Sequence, residues 1–324
     1  QHARVEYFLA TRGREVVGRV AAIENFRHNA VHEEKAGFFG FLDAVNDREV
    51  FAALLGTAER WARGRGLDCL RGPCSFSTNE ECGLLVTNHS APPVVMTPWN
   101  PPHYQQHVEA LGFAKAEDLL CYWLTQHAFQ GRIHRLAAAV EKRLERQGLV
   151  LRVRHMDKKR FADEVEVVRA LYNKAWEKNW GFVPLTDDEI TFLAKELRPI
   201  VVPEMVVFAD LDGETVGFAM ALPDYNILLR HMGGRLTPRS IATALMLRRD
   251  IHHVRIWLLG LLPEHRNRGL DLLLYRALFD NGTPIGYHAA ELSWILERNA
   301  TMRRGCEAMG AYEWRRYRIY EKGL

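Results

Sequence analysis

The sequence predicts an α/β protein of two similar units, each a mixed, mostly antiparallel sheet flanked by helices, and three observations carry that prediction. First, residues 5–22 (VEYFLATRGREVVGRVAA) and 205–222 (MVVFADLDGETVGFAMAL) both read as two strands joined by a tight turn, at Arg12 and Gly13 in one and Asp212 and Gly213 in the other. Val17 and Gly18 are answered by Val216 and Gly217, 199 residues later. Second, FFGFLD at 38–43 precedes a helical stretch at 51–66, much as the apolar run at 257–262 precedes a helix that ends near Gly286. Third, Leu111, Gly112 and Phe113 resemble Met309, Gly310 and Ala311, each set closing a helix before an alternating segment.

Taken in order, residues 1–130 form an abbreviated first unit that lacks an opening strand and opening helices. Its strand-to-helix junction, near Asp43 to Glu49, carries NDRE and no glycine. Residues 72–102 are rich in proline, asparagine and serine and read as loop. The RGRG at 63–66 follows a helix and precedes a strand, which makes it a helix stop rather than a phosphate loop. Residues 131–148 form a linker helix with Ile133, Leu136, Ala137, Val140 and Leu144 on one face. The second unit, 149–324, opens with a strand at 149–153. A helix at 161–180 follows, with Phe161, Val165, Val168, Tyr172, Ala175 and Trp176 inward, and Thr186 with Glu189 gives a capping box for the next helix. Trp176, Trp180 and Phe182 are either core or the lining of an acceptor pocket. Residues 235–253 have no counterpart in the first unit. They place Ile241, Leu245, Met246 and Leu247 in a basic segment, which is either a lid over an acyl chain or a solvated helix.

Composition narrows the class. The 324 residues are 48% hydrophobic and 26% charged, enough for two domains of about 150 residues. Net charge is +3 and the basic residues are mixed with acids, so a nucleic-acid partner is not expected. No apolar run reaches the roughly 18 residues of a membrane span and no signal-peptide layout is present, so a cytoplasmic protein without a membrane partner is expected. The five cysteines are odd in number and lack C-x-x-C spacing, which points to reduced thiols. His252 and His253 are adjacent and cannot share a helix face, so no metal is expected. The chain starts at Gln1, and residues preceding it in the natural protein are expected.

The chemistry concentrates at 257–275 (WLLGLLPEHRNRGLDLLLY). Ile256, Trp257, Leu258, Leu259, Leu261 and Leu262 make a buried strand, and Pro263 ends its pairing for want of an amide hydrogen. Two arginines flank Asn267, Gly269 removes side-chain bulk, and Leu270, Leu272, Leu273, Leu274 and Leu278 begin a helical pattern. Unsatisfied amides at such a helix start attract phosphate oxygens. The alternative is a solvated turn with ordinary surface arginines.

LLPEHRNRGLDLLLY resembles the acyl-CoA-binding motif of the GNAT superfamily of N-acyltransferases, (Q/R)-x-x-G-x-(G/A). Arg266 and Gly269 match it, while Asp271 stands where a small residue is usual. The resemblance implies two GNAT-like domains, the first degenerate and without cofactor. It implies a pantetheine arm lying between strands 257–262 and 289–296, paired with backbone groups of Gly260, Leu261 and Leu262. The amides of Arg266, Asn267, Arg268, Gly269, Leu270 and Asp271 would hold the pyrophosphate. Asn299 stands eleven residues before Gly310, as in the family's N-x-x-A-x-x-x-Y-x-x-x-G pattern, and would meet the pantetheine. Cys306 occupies the tyrosine position, where it is a substituted acid, an oxidisable bystander or a helix-packing residue.

The implied reaction moves an acyl group from acetyl-CoA or a longer acyl-CoA to a small-molecule amine by direct attack, without a metal. Glu291, Ser293 and Glu297 are the nearest candidates to take a proton from the amine. From the first unit, Asn79 and Glu80 either bind a cationic substrate or belong to a short helix capped by Thr78 and Asn79. Two other readings remain. One is a Fem-type transferase using aminoacyl-tRNA, and the other a pseudo-acyltransferase that binds acyl-CoA or a partner without turnover.

Overall fold

The computed structural model describes residues 2–129, 131–233, 235 and 237–324. In chain order the strands are β1 (Ala3–Arg12), β2 (Glu15–Asn25), β3 (Ala36–Ala44), β4 (Cys69–Gly72), β5 (Leu84–Leu85), β6 (Ala114–Thr125), β7 (Leu151–His155), β8 (Val206–Leu211), β9 (Glu214–Pro223), β10 (His253–Leu261), β11 (Ala289–Leu296) and β12 (Tyr312–Gly323). The helices are α1 (Phe26–His32), α2 (Arg48–Arg63), α3 (His103–Ala110), α4 (Gln126–Phe129), α5 (Arg132–Arg146), α6 (Phe161–Trp176), α7 (Asp187–Leu197), α8 (Asn226–Met232), α9 (Pro238–Leu247), α10 (Leu270–Gly282) and α11 (Ala300–Met309).

Local signals place the elements. Gly13 at φ 63°, and Asp212 and Gly213 at φ 51° and 87°, turn the antiparallel pairs β1/β2 and β8/β9. Thr186 and Glu189 form the capping box of α7. Gly64 caps α2 and Gly66 takes φ 70°, so RGRG is a helix stop. The helix expected over 161–180 ends at Trp176, and Leu136, assigned to the inner face of α5, stays 36% exposed while Ile133, Ala137, Val140 and Leu144 are buried.

The strands join into one continuous sheet in the order β1-β2-β3-β4-β12-β6-β11-β10-β9-β8-β7, with β5 on β12. Two separate sheets were expected, one per unit. Instead β6, which closes the first half of the chain, pairs with β11, and β12, the last strand, pairs with β4 and β6. Each half thus lends its final strand to the other, which places β1 and β7 at the two ends of the sheet and removes two edges that would otherwise need covering.

Alternation along the second-half strands serves two helix layers. Val207 and Ala209 of β8, with Ala219 and Ala221 of β9, pack with α5 and α10. Val206, Phe208, Phe218 and Met220 point the other way, toward α6 and α7. This half of the sheet is therefore covered on both faces, and α10 and α6 flank β10 from opposite sides.

Candidate active site

β10 and β11 are parallel neighbours only from His253↔Ala289 to Ile256↔Leu292. Beyond that register the strands part, and a cleft of about 400 Å³ opens between them. Gly260, Leu261, Trp257 and Leu259 line one wall, and Ser293, Trp294, Ile295 and Leu296 the other. Leu262 does not line it. Trp176 closes the α6 side, stacked on Tyr172 with ring centroids 4.8 Å apart. A Cβ at Gly260 would sit 2.6 Å from the Trp176 ring, so only glycine fits beneath the indole.

The turn after β10 forms the end of the cleft. Asn267 and Gly269 both take the left-handed conformation, at φ 60° and 78°, and α10 starts at Leu270 with no side-chain cap. The Leu262 amide is bonded to Val216, His265 to Leu262 and Arg266 to Pro263. Among the described residues, the amides of Asn267, Arg268, Gly269 and Leu270 have no protein acceptor, which leaves a row of donors at a helix start, while the Asp271 carboxylate draws on its own amide and that of Leu272. α5 fixes the turn from behind. Arg143 donates to the Arg268 carbonyl, and a Cβ on Gly269 would come within 2.7 Å of Val140. The Arg266 guanidinium is committed to protein, donating to Leu261 O at 3.3 Å and to Ala175 O at 2.6 Å, so it ties the turn to α6. Arg268 is exposed. Asp271 lines the cleft, and burial raises its carboxyl above the ordinary aspartate value.

Asn299 caps α11, accepting from Met302 N at 3.1 Å, and lines the cleft with Met302. Cys306 does not. It is fully buried in the core behind α11, and burial pushes its thiol up to about 12, which suits the helix-packing reading. The hydroxyl that does reach the cleft is Tyr275 of α10, which donates to Met302 Sδ at 3.6 Å and lies within reach of the Cys306 sulfur. Burial raises this phenol well above its ordinary value, so it is neutral and able to donate. Its place inside an apolar helical run masked it in the sequence.

Ser293 and Glu291 belong to one buried network. Ser293 Oγ donates to Glu291 Oε1 at 2.7 Å and accepts from Arg255 Nε at 2.9 Å. Arg255 is 1% exposed and also donates to the Val95 and Met96 carbonyls of the long first-half loop. Burial raises the Glu291 carboxyl despite the Ser293 hydrogen bond, nearby Arg255 and Arg315, and the Trp314 indole. Glu297 is outside the cleft lining, held by Lys115 at 2.6 Å, because the strand ends before it and it turns toward β6.

A smaller hollow of about 130 Å³ adjoins the cleft through Trp176, Asn179, Trp257 and Trp294. Arg255, Thr78, Asn79, Tyr172, Trp180, Phe182 and Leu258 are also in its lining. Asn79 is fixed there by donating to Val183 O at 2.6 Å, and Thr78 by donating to Gly181 O at 2.6 Å, so neither caps a helix. Glu80 is excluded from it. Its carboxylate accepts from Ser77 and faces a different hollow beside Arg27 and Glu189. No group of three or more metal-ligating side chains occurs among the described residues, all five cysteines are free, and no helix there is long and apolar enough to cross a membrane.

No protein-family model matches the chain. Protein YghO of Escherichia coli is 33% identical over 331 residues, covering 100% of this chain and 83% of that protein. The bacterial ceramide synthase of Caulobacter vibrioides is 36% identical over 330 residues, covering 100% of this chain and 85% of that enzyme. Among solved structures, a tandem GNAT protein from the clavulanic acid biosynthesis pathway superposes with a TM-score of 0.55 at 13% identity, over 99% of this chain and 83% of that one. A GCN5-related N-acetyltransferase from Sphaerobacter thermophilus gives 0.54 at 14%, over 98% and 80%. These structural likenesses establish a GNAT-like fold.

Proposed function

This chain belongs to the family that includes the bacterial ceramide synthase of Caulobacter vibrioides and YghO of Escherichia coli, and we propose that it transfers an acyl group from an acyl-CoA to the amine of a long-chain amino alcohol. The observation that carries this reading is the parting of β10 and β11 beside a helix start whose amides are unclaimed. A diphosphate fits the amides of Asn267 to Leu270, and an extended thioester arm fits between Gly260–Leu261 and Ser293–Leu296, with Asn299 at its side. A ceramide is an amide of a long-chain amino alcohol, and an apolar cavity of about 70 Å³ lined by Phe161, Leu193, Leu197 and Met220 meets the substrate hollow at Tyr172, Trp257 and Leu258.

In the proposed reaction the neutral amine nitrogen attacks the thioester carbonyl, the C–N bond forms and the C–S bond breaks. The ammonium proton leaves through Ser293 to Glu291, and the departing thiolate takes the Tyr275 proton, which solvent restores. The chain is read as a tandem protein with units at 1–130 and 149–324 joined by 131–148. In this reading the first unit is degenerate and without cofactor, since its own helix-start amide at Glu49 is taken by Asp47.

Thermal-shift titration with acetyl-CoA and palmitoyl-CoA, followed by thiol release on adding sphinganine or a short amine, tests the reading. Stabilisation by the acyl-CoA and faster thiol release with the long-chain amine are expected. Tyr275→Phe should keep the thermal shift while slowing release about 100-fold. Absence of a shift with every acyl-CoA would overturn the reading, and a shift without thiol release would make the protein a binder rather than an enzyme.

A further inference from the structure

Helix α9 is built inside out. Its half-buried positions, turned toward α8, are Ser240, Thr243, Ala244 and Leu247. Its larger apolar residues face solvent, with Ile241 47%, Leu245 68% and Met246 71% exposed, and no residue of the helix is fully buried. At 3.6 residues per turn the outward half carries Ile241, Ala242, Leu245 and Met246, with Arg239 at its margin. A helix stabilised only by its own domain places such residues the other way round.

Charge sharpens the picture. Residues 226–250 hold five arginines and one acid, Asp250. Elsewhere arginines find carboxylates, as Arg276 does with Glu141 and Arg154 with Glu164. Among the described residues, Arg230, Arg239, Arg248 and Arg249 are exposed and form no ion pair, and Leu229 of α8 is 55% exposed beside Arg230. Exposed aliphatic side chains ringed by unpaired guanidinium groups match a bilayer boundary, where the apolar groups enter the acyl region and the arginines meet headgroup phosphates.

We propose that α8 and α9 form a docking surface for an anionic lipid bilayer. At ten residues α9 is too short to cross one, so it lies in the surface. The pair connects β9 to β10, and β10 then runs roughly 30 Å to the basic turn. The proposal stands independently of the acyl acceptor.

Co-sedimentation of the full chain with vesicles of phosphatidylcholine, alone or mixed with phosphatidylglycerol, tests it. Binding to the anionic vesicles only, weakened by salt, is expected. The double variant Leu245→Glu, Met246→Glu should lose binding at least about tenfold, and Arg239→Glu, Arg249→Glu by a similar factor, with circular dichroism and Tm unchanged because all four side chains are exposed. Failure to bind anionic vesicles, or binding indifferent to the Leu245/Met246 variant, overturns the proposal. So does a concentration-dependent dimer that this variant dissolves while vesicles stay unbound, since the face would then meet a second copy, and so does binding to duplex RNA in place of vesicles.

Discussion

The junctions β3→α2 and β10→α10 are built from the same parts and end in opposite states. Each strand has a parallel neighbour, β4 or β11, for only a few residues, and each is followed by a helix. In the first, Asp47 takes the helix-start amide of Glu49 at 2.8 Å and pairs with Arg12 at 2.5 Å, so the junction carries its own anion. The gap beside the strand is filled by backbone. Cys74 N donates to Phe39 O at 2.7 Å, and a Cβ on Gly40 would lie 2.3 Å from the Cys74 carbonyl. In the second, Gly269 offers no cap, four amides have no acceptor among the described residues and the gap is a cleft of about 400 Å³. A single topology is thus open or closed to an anionic ligand according to which group claims the helix-start amides and whether backbone fills the strand gap.

Turning the open junction into the closed one should have the largest effect. Gly269→Asp supplies a carboxylate where Asp47 stands in the first half, at φ 78° and with its Cβ pressed 2.7 Å from Val140. Calorimetry should show CoA affinity lowered by more than about 100-fold, and urea unfolding a loss of about 2 kcal/mol from backbone strain. Persistent binding would place the phosphates elsewhere.

A gentler change leaves the backbone alone. Arg268→Glu alters an exposed side chain beside the unclaimed amides, so CoA affinity should fall about tenfold with Tm unchanged. Equal affinity would show that the amides act without help from that arginine.

The smallest effect distinguishes how the closed half is held. Burial would raise the Glu34 carboxyl, but hydrogen bonds from Arg71 and His28 outweigh it and hold it at about 2. A carboxylate held down in the folded state stabilises above its unfolded value near 4.5 and loses that contribution as pH falls toward 2. Scanning calorimetry from pH 5 to 2 should therefore show a Tm decline a few degrees steeper in the wild type than in Glu34→Gln. Parallel curves would remove Glu34 from the account.

Features decided by neighbours in sequence were legible. Gly13 and Gly213 fix their turns, Thr186 and Glu189 cap their helix, and Pro263 and Gly269 bracket the basic turn, because each acts through atoms a few residues away. Roles that depend on distant chain were not. Arg255 reads as a charge interrupting a strand, yet the carbonyls of Val95 and Met96 and the hydroxyl of Ser293 make its burial tolerable. Glu297 looked available until β6 brought Lys115 to it, and among the three readings open for Cys306 only burial behind α11 decided for packing, while Tyr275 came to the cleft from α10.

By itself the sequence determined the α/β character, the two hairpins, the strand preceding the basic turn and the helix that follows, since periodicity and turn chemistry are short-range. Only the tertiary structure decided that β6 and β12 change places, that the sheet is continuous and which side chains face the cleft. An alternating strand specifies which of its faces is buried but carries no label for its neighbour. That choice falls to the burial and hydrogen bonding of residues far apart in the chain.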